Sequence, residues 1–223
     1  MQRLLLTSVL FVFTLFIFHA CADTASTEEA SQEETTGVDS VAIRRQAEDA
    51  RLYARRGYAD SINQGIITVD TFKSSPVRET SATVGGANIN IRYGSPGMRN
   101  RVIWGGLVGY DEVWVSGAHL ATAVTFDKSI VVNGKNIPAG TYAFYTIPRA
   151  DQWTIILNTR WNQHLADDYR QEEDAIRIDV KPMAQPKATQ RLTYTIRPVT
   201  EKSGIIALTW EKLSVELPFE VIQ

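Results

Sequence analysis

The sequence predicts a mainly β fold: an antiparallel β-sandwich or jelly-roll-like single domain of about ten strands, with one N-terminal amphipathic helix. Three observations carry that expectation. From about Thr68 onward apolar residues recur at every second position, turns bearing Gly, Pro or Asn separate the runs, and one long stretch, residues 41–57, has helical spacing.

Along the chain, the first element is an export signal. Residues 1–20 carry one positive charge, Arg3, and an apolar run from Leu4 to Phe18 that is short for a membrane span and has the layout of a signal peptide. The only cysteine, Cys21, directly follows. Its position resembles the lipid-attachment cysteine of bacterial lipoproteins, where acyl chains hold the mature protein on a membrane. The alternative is cleavage after Ala22, since Ala20-Cys21-Ala22 fits the small-x-small rule, which releases a soluble periplasmic or secreted protein. Either way no disulfide is available, and the domain stabilises itself by packing.

Residues 21–40 follow as an acidic tether. Asp23, Glu28, Glu29, Glu33, Glu34 and Asp39 occur without a basic residue, among Thr, Ser and Ala. Such a segment buries too little apolar surface to offset the entropy of ordering, so disorder is expected. Over residues 41–57, Ile43, Ala47, Ala50 and Ala54 form one apolar helical face. Asp39 or Ser40 suits the start and Gly57 the end. The opposite face holds Arg44, Arg45, Arg51, Arg55 and Arg56, which suits either solvent or an anionic surface.

The β domain is expected over residues 68–223. Ile89 and Ile91, then Ile176, Ile178 and Val180, then Leu192, Tyr194 and Ile196, then Val215, Leu217, Phe219 and Val221 each alternate with more polar neighbours. Each run has one buried and one wet face. Turns fall at Gly85-Gly86, Ser95-Pro96-Gly97, Asn133-Gly134, Pro138-Ala139-Gly140 and Ser203-Gly204. Asn133-Gly134 predicts a tight hairpin. Residues 160–174 break the strand rhythm and read as a loop or short helix.

Composition narrows the function classes. With 223 residues, a formal net charge of −2 and 22% charged residues, the chain lacks the basic excess of a nucleic-acid binder, and no nucleic-acid partner is expected. No Gly-x-Ser-x-Gly elbow and no phosphate-cradling loop ahead of a helix occurs, and no cofactor is expected. A Ser116, His119, Asp111 convergence has no motif behind it. His119 and His164, with Asp111, Glu112 or Asp167, are the metal-ligand candidates. The densest concentration of recognition chemistry lies between Arg92 and Trp114. Arg99, Arg101, Trp104, Tyr110 and Trp114 are threaded there on five glycines, with His119 just beyond. Loops on a rigid β scaffold that combine aromatic faces with guanidinium groups suit ligand binding. The alternative is structural: Trp104 and Trp114 plug the end of the sandwich and the arginines pair with Asp111 and Glu112.

Several segments together resemble one family. They are Ile91-Arg92-Tyr93-Gly94-Ser95-Pro96, Arg101-Val102-Ile103-Trp104-Gly105-Gly106-Leu107-Val108, Val113-Trp114 with Gly117-Ala118, and the run from Asn133 through Ile137-Pro138-Ala139-Gly140-Thr141-Tyr142 to Pro148, followed by Trp153-Thr154-Ile155-Ile156-Leu157-Asn158. The chain is similar over residues 72–217 to domain-of-unknown-function family 2911, secreted and lipoprotein domains of Bacteroidetes-type bacteria. The resemblance implies a compact exported β domain and brings no activity. Family members tend to read Trp-Arg-Thr-Gly-Ala-Asn-Glu-Ala-Thr where this chain has Trp114-Val115-Ser116-Gly117-Ala118-His119-Leu120-Ala121-Thr122. Any polar site there is therefore either lost or rebuilt around His119.

The function expected is that of a non-enzymatic binding or interaction module of the cell envelope, periplasm-facing or on the outer membrane. It would be attached to the membrane through Cys21 and take a small molecule or an envelope protein as partner. The alternatives are a periplasmic hydrolase-type enzyme with a cleft near Trp114 and His119, and a purely structural envelope lipoprotein.

Overall fold

Alternating side chains leave each strand one apolar face, and two sheets bury those faces against each other. The computed structural model describes residues 57–222. The expected signal peptide, Cys21, the expected acidic tether and all but the last residue of the helix expected over residues 41–57 lie outside the described residues. A short helix, α1 (Tyr58–Gln64), comes first, between Gly57 and Gly65, both in the left-handed region. Ten strands follow: β1 (Val77–Val84), β2 (Ala87–Gly94), β3 (Ala123–Phe126), β4 (Ile130–Val132), β5 (Lys135–Ile137), β6 (Gly140–Ile147), β7 (Trp153–Asn158), β8 (Asp174–Val180), β9 (Met183–Pro198) and β10 (Ser203–Val221).

Every pairing is antiparallel. A six-stranded sheet runs β1-β2-β3-β6-β7-β8 and a four-stranded sheet runs β5-β4-β10-β9. At the sheet edges β1 approaches β9 and β5 approaches β8, which gives the sandwich a barrel-like outline. The expected mainly β, ten-strand sandwich is therefore the observed fold. Asn133 and Gly134 have φ of 48° and 77° and join Val132 to Lys135, the two-residue turn that matches strand twist. Gly85 and Gly86 do the same between Val84 and Ala87. Residues 159–173 form a loop ending in a single 3-10 turn, Gln171–Glu173.

One core fills the space between the sheets, with Ile89 and Ile91 of β2, Ile155 and Leu157 of β7, Leu192 and Tyr194 of β9, and Leu208, Trp210, Leu217 and Phe219 of β10. A smaller apolar cluster lies apart from it and joins Val115, Ala121, Ala143, Tyr145, Ile147 and Ile156, with Ala166 and Tyr169 from the 159–173 loop packed on it. No helix among the described residues is long and apolar enough to cross a membrane.

Candidate functional site

The segment between β2 and β3, residues 95–122, is the longest connection within the six-stranded sheet. Its last part is an excursion from β6. Trp114 bridges Thr146 through reciprocal N–H to carbonyl bonds of 2.8 and 3.0 Å, and the Phe144 N–H donates to the Thr122 carbonyl at 2.7 Å. The chain thus leaves β6 at Trp114 and returns at Thr122, and the Thr122 N–H donates to the Val115 carbonyl across the base.

The excursion is fastened on every side. The buried Ser116 carbonyl accepts from the Tyr194 hydroxyl at 2.9 Å and from Thr122 Oγ1 at 3.2 Å. The Gly117 carbonyl accepts from the Trp114 indole at 3.2 Å. On the outside, the Ala121 N–H donates to the Gln163 carbonyl and the Leu165 N–H to the His119 carbonyl. A β-carbon at Gly94 would collide with the Ala118 carbonyl oxygen, so only glycine lets the turn sit this close to the end of β2.

These ties hold strained backbone. Ser116 and His119 have φ of 51° and 67°, and Arg99, Asn100 and Asp111 in the same connection are also left-handed. Left-handed backbone at non-glycine residues costs free energy that the surrounding bonds must offset, and such positions occur in tight turns and cluster at active sites, ligand clamps and switch regions. Between the turn and the end of the β1–β2 hairpin lies a hollow of about 130 Å³. Its lining is mostly apolar, from Val77, Tyr93, Gly94, Ala118, Leu120 and Ala121, with Arg92 and His119 as the polar groups. Two wider and more open hollows, about 470 Å³ across β4 and β10 and about 540 Å³ across β7 and β8, contain none of the candidate ligand or metal residues.

The sequence candidates divide into four groups. Trp104 and Trp114 belong to a four-tryptophan cluster with Trp153 of β7 and Trp210 of β10. Trp104 meets Trp153 edge to face at 4.7 Å and Trp210 at 5.8 Å, and Trp114 stacks on Trp210 at 6.0 Å. Both half-buried rings close this end of the main core. Arg99 and Arg101 serve the loop itself: Arg99 donates to the Lys73 carbonyl and Arg101 to the Gly97 and Met98 carbonyls. Neither pairs with Asp111, whose carboxylate accepts from Arg149 at 2.7 Å. Tyr110 is exposed and lies against Gly105. Only His119 lines the hollow.

The Ser116, His119, Asp111 combination does not assemble. Ser116 Oγ is buried and bonded to Thr146 Oγ1 at 2.9 Å, and Asp111 is held by Arg149. His119 and His164 come into neighbouring backbone, since Leu120 bridges His164, whose Nδ1 lies 3.3 Å from Asp167. Among the described residues no group of three or more His, Cys, Asp or Glu is placed to hold a metal ion.

The family model described as "Protein of unknown function (DUF2911)" matches residues 75–219, more than half of the chain. The chain belongs to this family. No curated protein and no solved structure matches it. The DUF2911 match begins just before β1 and ends within β10, so it contains both sheets, the 115–121 turn and the hollow.

Sequence reading missed a second polar constellation in this DUF2911 domain. Arg191 of β9 is fully buried, and its guanidinium donates to Asp70 Oδ1 at 2.8 Å and to the carbonyls of Phe72, Ser74 and Ser95. Tyr58 and Phe72 place ring faces 5.7 and 5.2 Å from it. Asn63 of α1 pairs with the Arg191 backbone through both side-chain groups. This centre fastens residues 58–74 onto the sandwich.

Proposed function

We propose that the chain is an exported, non-enzymatic binding domain of the cell envelope, held on a membrane surface through acyl chains on Cys21 and working through the hollow beside the 115–121 turn. One observation carries the binding role: a strained turn, hydrogen-bonded from all sides, presents His119 over an apolar recess. The export signal, the cysteine behind it and the acidic stretch of residues 21–40 support the setting. Binding is favoured over acyl transfer because the Ser116 hydroxyl is committed to Thr146 rather than to an imidazole.

The test is thermal unfolding of the full chain with a panel of metals, sugars, amino acids, amines and small acids. A ligand at 100 times its Kd adds about 2.7 kcal/mol, which shifts Tm by several degrees. The binding role requires such a shift, and requires its loss in His119→Ala without a matching loss of basal stability. A flat panel, or turnover abolished by a single substitution, defeats it. For the setting, Cys21→Ser should abolish lipid labelling and release the protein from membranes.

A further inference from the structure

We propose that the hollow beside the 115–121 turn receives a small monocarboxylate with a short apolar chain, the carboxylate meeting Arg92 and His119. This deepens the binding role argued above and rests on it.

The first argument is the state of the polar groups. Ten arginines lie among the described residues, and all but Arg92 and Arg170 donate a hydrogen bond within the chain. Arg92 has one ionic neighbour, Glu79, at a loose 3.7 Å between exposed groups. His119 lines the same hollow, and its imidazole has no hydrogen-bond partner among the described residues. A guanidinium fork matches a carboxylate geometrically, and its charge-assisted bonds are the strong ones.

The second argument is shape and charge. No acidic side chain lines the hollow, and its walls away from Arg92 and His119 are apolar. At about 130 Å³ the hollow is small beside ordinary small-molecule sites, which suits a chain of a few carbons. The wall is also rigid, since Ala118 and His119 belong to the strained turn. The open hollow across β7 and β8 offers no comparable receptor. There Arg149 is committed to Asp111 and Thr154, and Thr154 to Asp179.

The probe is sodium butyrate, titrated into the ¹⁵N-labelled full chain, with butyramide and butylammonium as matched neutral and cationic controls. Saturable shifts at the amides of Ala118, His119, Leu120 and Ala121 are expected with butyrate alone. Arg92→Gln should weaken binding about tenfold with an unchanged Tm, because the side chain is exposed and makes no hydrogen bond. Glu79→Gln should strengthen it about two- to fivefold by freeing the guanidinium. If butyramide or butylammonium binds as well as butyrate, or Arg92→Gln binds equally well, the carboxylate assignment is overturned while the binding role stands. If no compound in the panel moves these amides, both fall.

Discussion

Arg191 and Arg92 carry the same guanidinium group and sit at opposite extremes in circumstance. Arg191 lies on β9 with its side chain fully buried. Its two terminal NH2 groups donate to one carboxylate and three carbonyls, between two aromatic faces. Arg92, on β2, is half exposed, has a single loose ionic neighbour and borders a hollow. The difference follows from solvation. A charge taken out of water is tolerated only when the protein replaces its hydration almost completely, so Arg191 is built around. A charge left at the surface needs no replacement, and its donors stay available. The first arrangement serves the fold, and the second leaves donors free for the carboxylate proposed above.

Removing one partner breaks that contrast most severely at the buried end. Asp70→Ala leaves the Arg191 guanidinium without its counter-charge in a water-poor site and should cost about 3–5 kcal/mol. The midpoint of chemical denaturation reads this directly. Converting both positions to apolar residues, Asp70→Leu with Arg191→Met, should recover most of the loss, since no orphaned charge remains. Additive losses in the double variant would mean that packing rather than charge compensation holds the 58–74 segment.

A middle-sized effect is expected at the other end. Gly94→Ala drives a β-carbon into the Ala118 carbonyl, a backbone group that can only move with the whole turn. Overpacking of this kind typically costs about 1–3 kcal/mol. Here the hydrogen bonds to Ser116 and Gly117 would be displaced with it. The amides of residues 116–121 should shift strongly while those near Arg191 stay in place. Equal disturbance of both ends would show that the turn and the anchor are one cooperative unit.

Why one of these regions is legible in the sequence and the other is not is a matter of period and cover. Alternation places Leu192, Tyr194 and Ile196 on the inner face of β9, where they are found, and assigns Arg191 to the wet face with Thr193 and Thr195. Alternation names a face without saying what covers it. The cover comes from Asn63, Asp70 and Phe72, more than a hundred residues earlier. The hairpins at Gly85-Gly86 and Asn133-Gly134 are local chemistry and read correctly, while the division into six and four strands depends on remote pairings such as β10 with β4. At the site, the cluster of arginines and tryptophans is visible in the sequence, but roles are not. Trp104 and Trp114 are completed by Trp153 and Trp210 from distant strands. Arg99 and Arg101 satisfy carbonyls of a tightly turned loop whose strain no composition reveals.

The smallest effect tests the same solvation logic on a neutral group. Tyr145 of β6 is fully buried in the minor apolar cluster, and no hydrogen bond of good geometry reaches its hydroxyl, although Gln163 lies close enough to ease its titration. Burial pushes this phenol up to about 12. The unfolded side chain titrates near 10, so between about pH 10 and 12 the unfolded state has released a proton that the folded state still holds. The contribution is therefore fully present below pH 10 and is lost as pH rises toward 12. Tyr145→Phe should change stability by no more than about 1 kcal/mol at pH 7, because no bond is broken, and should make the alkaline decline shallower. Tyr169 and Tyr194, raised in the same direction, keep part of that decline in the variant. A loss well above 1 kcal/mol at neutral pH would reveal a firm bond to Gln163 and place Tyr145 with Arg191, among the polar groups the fold has enclosed and satisfied.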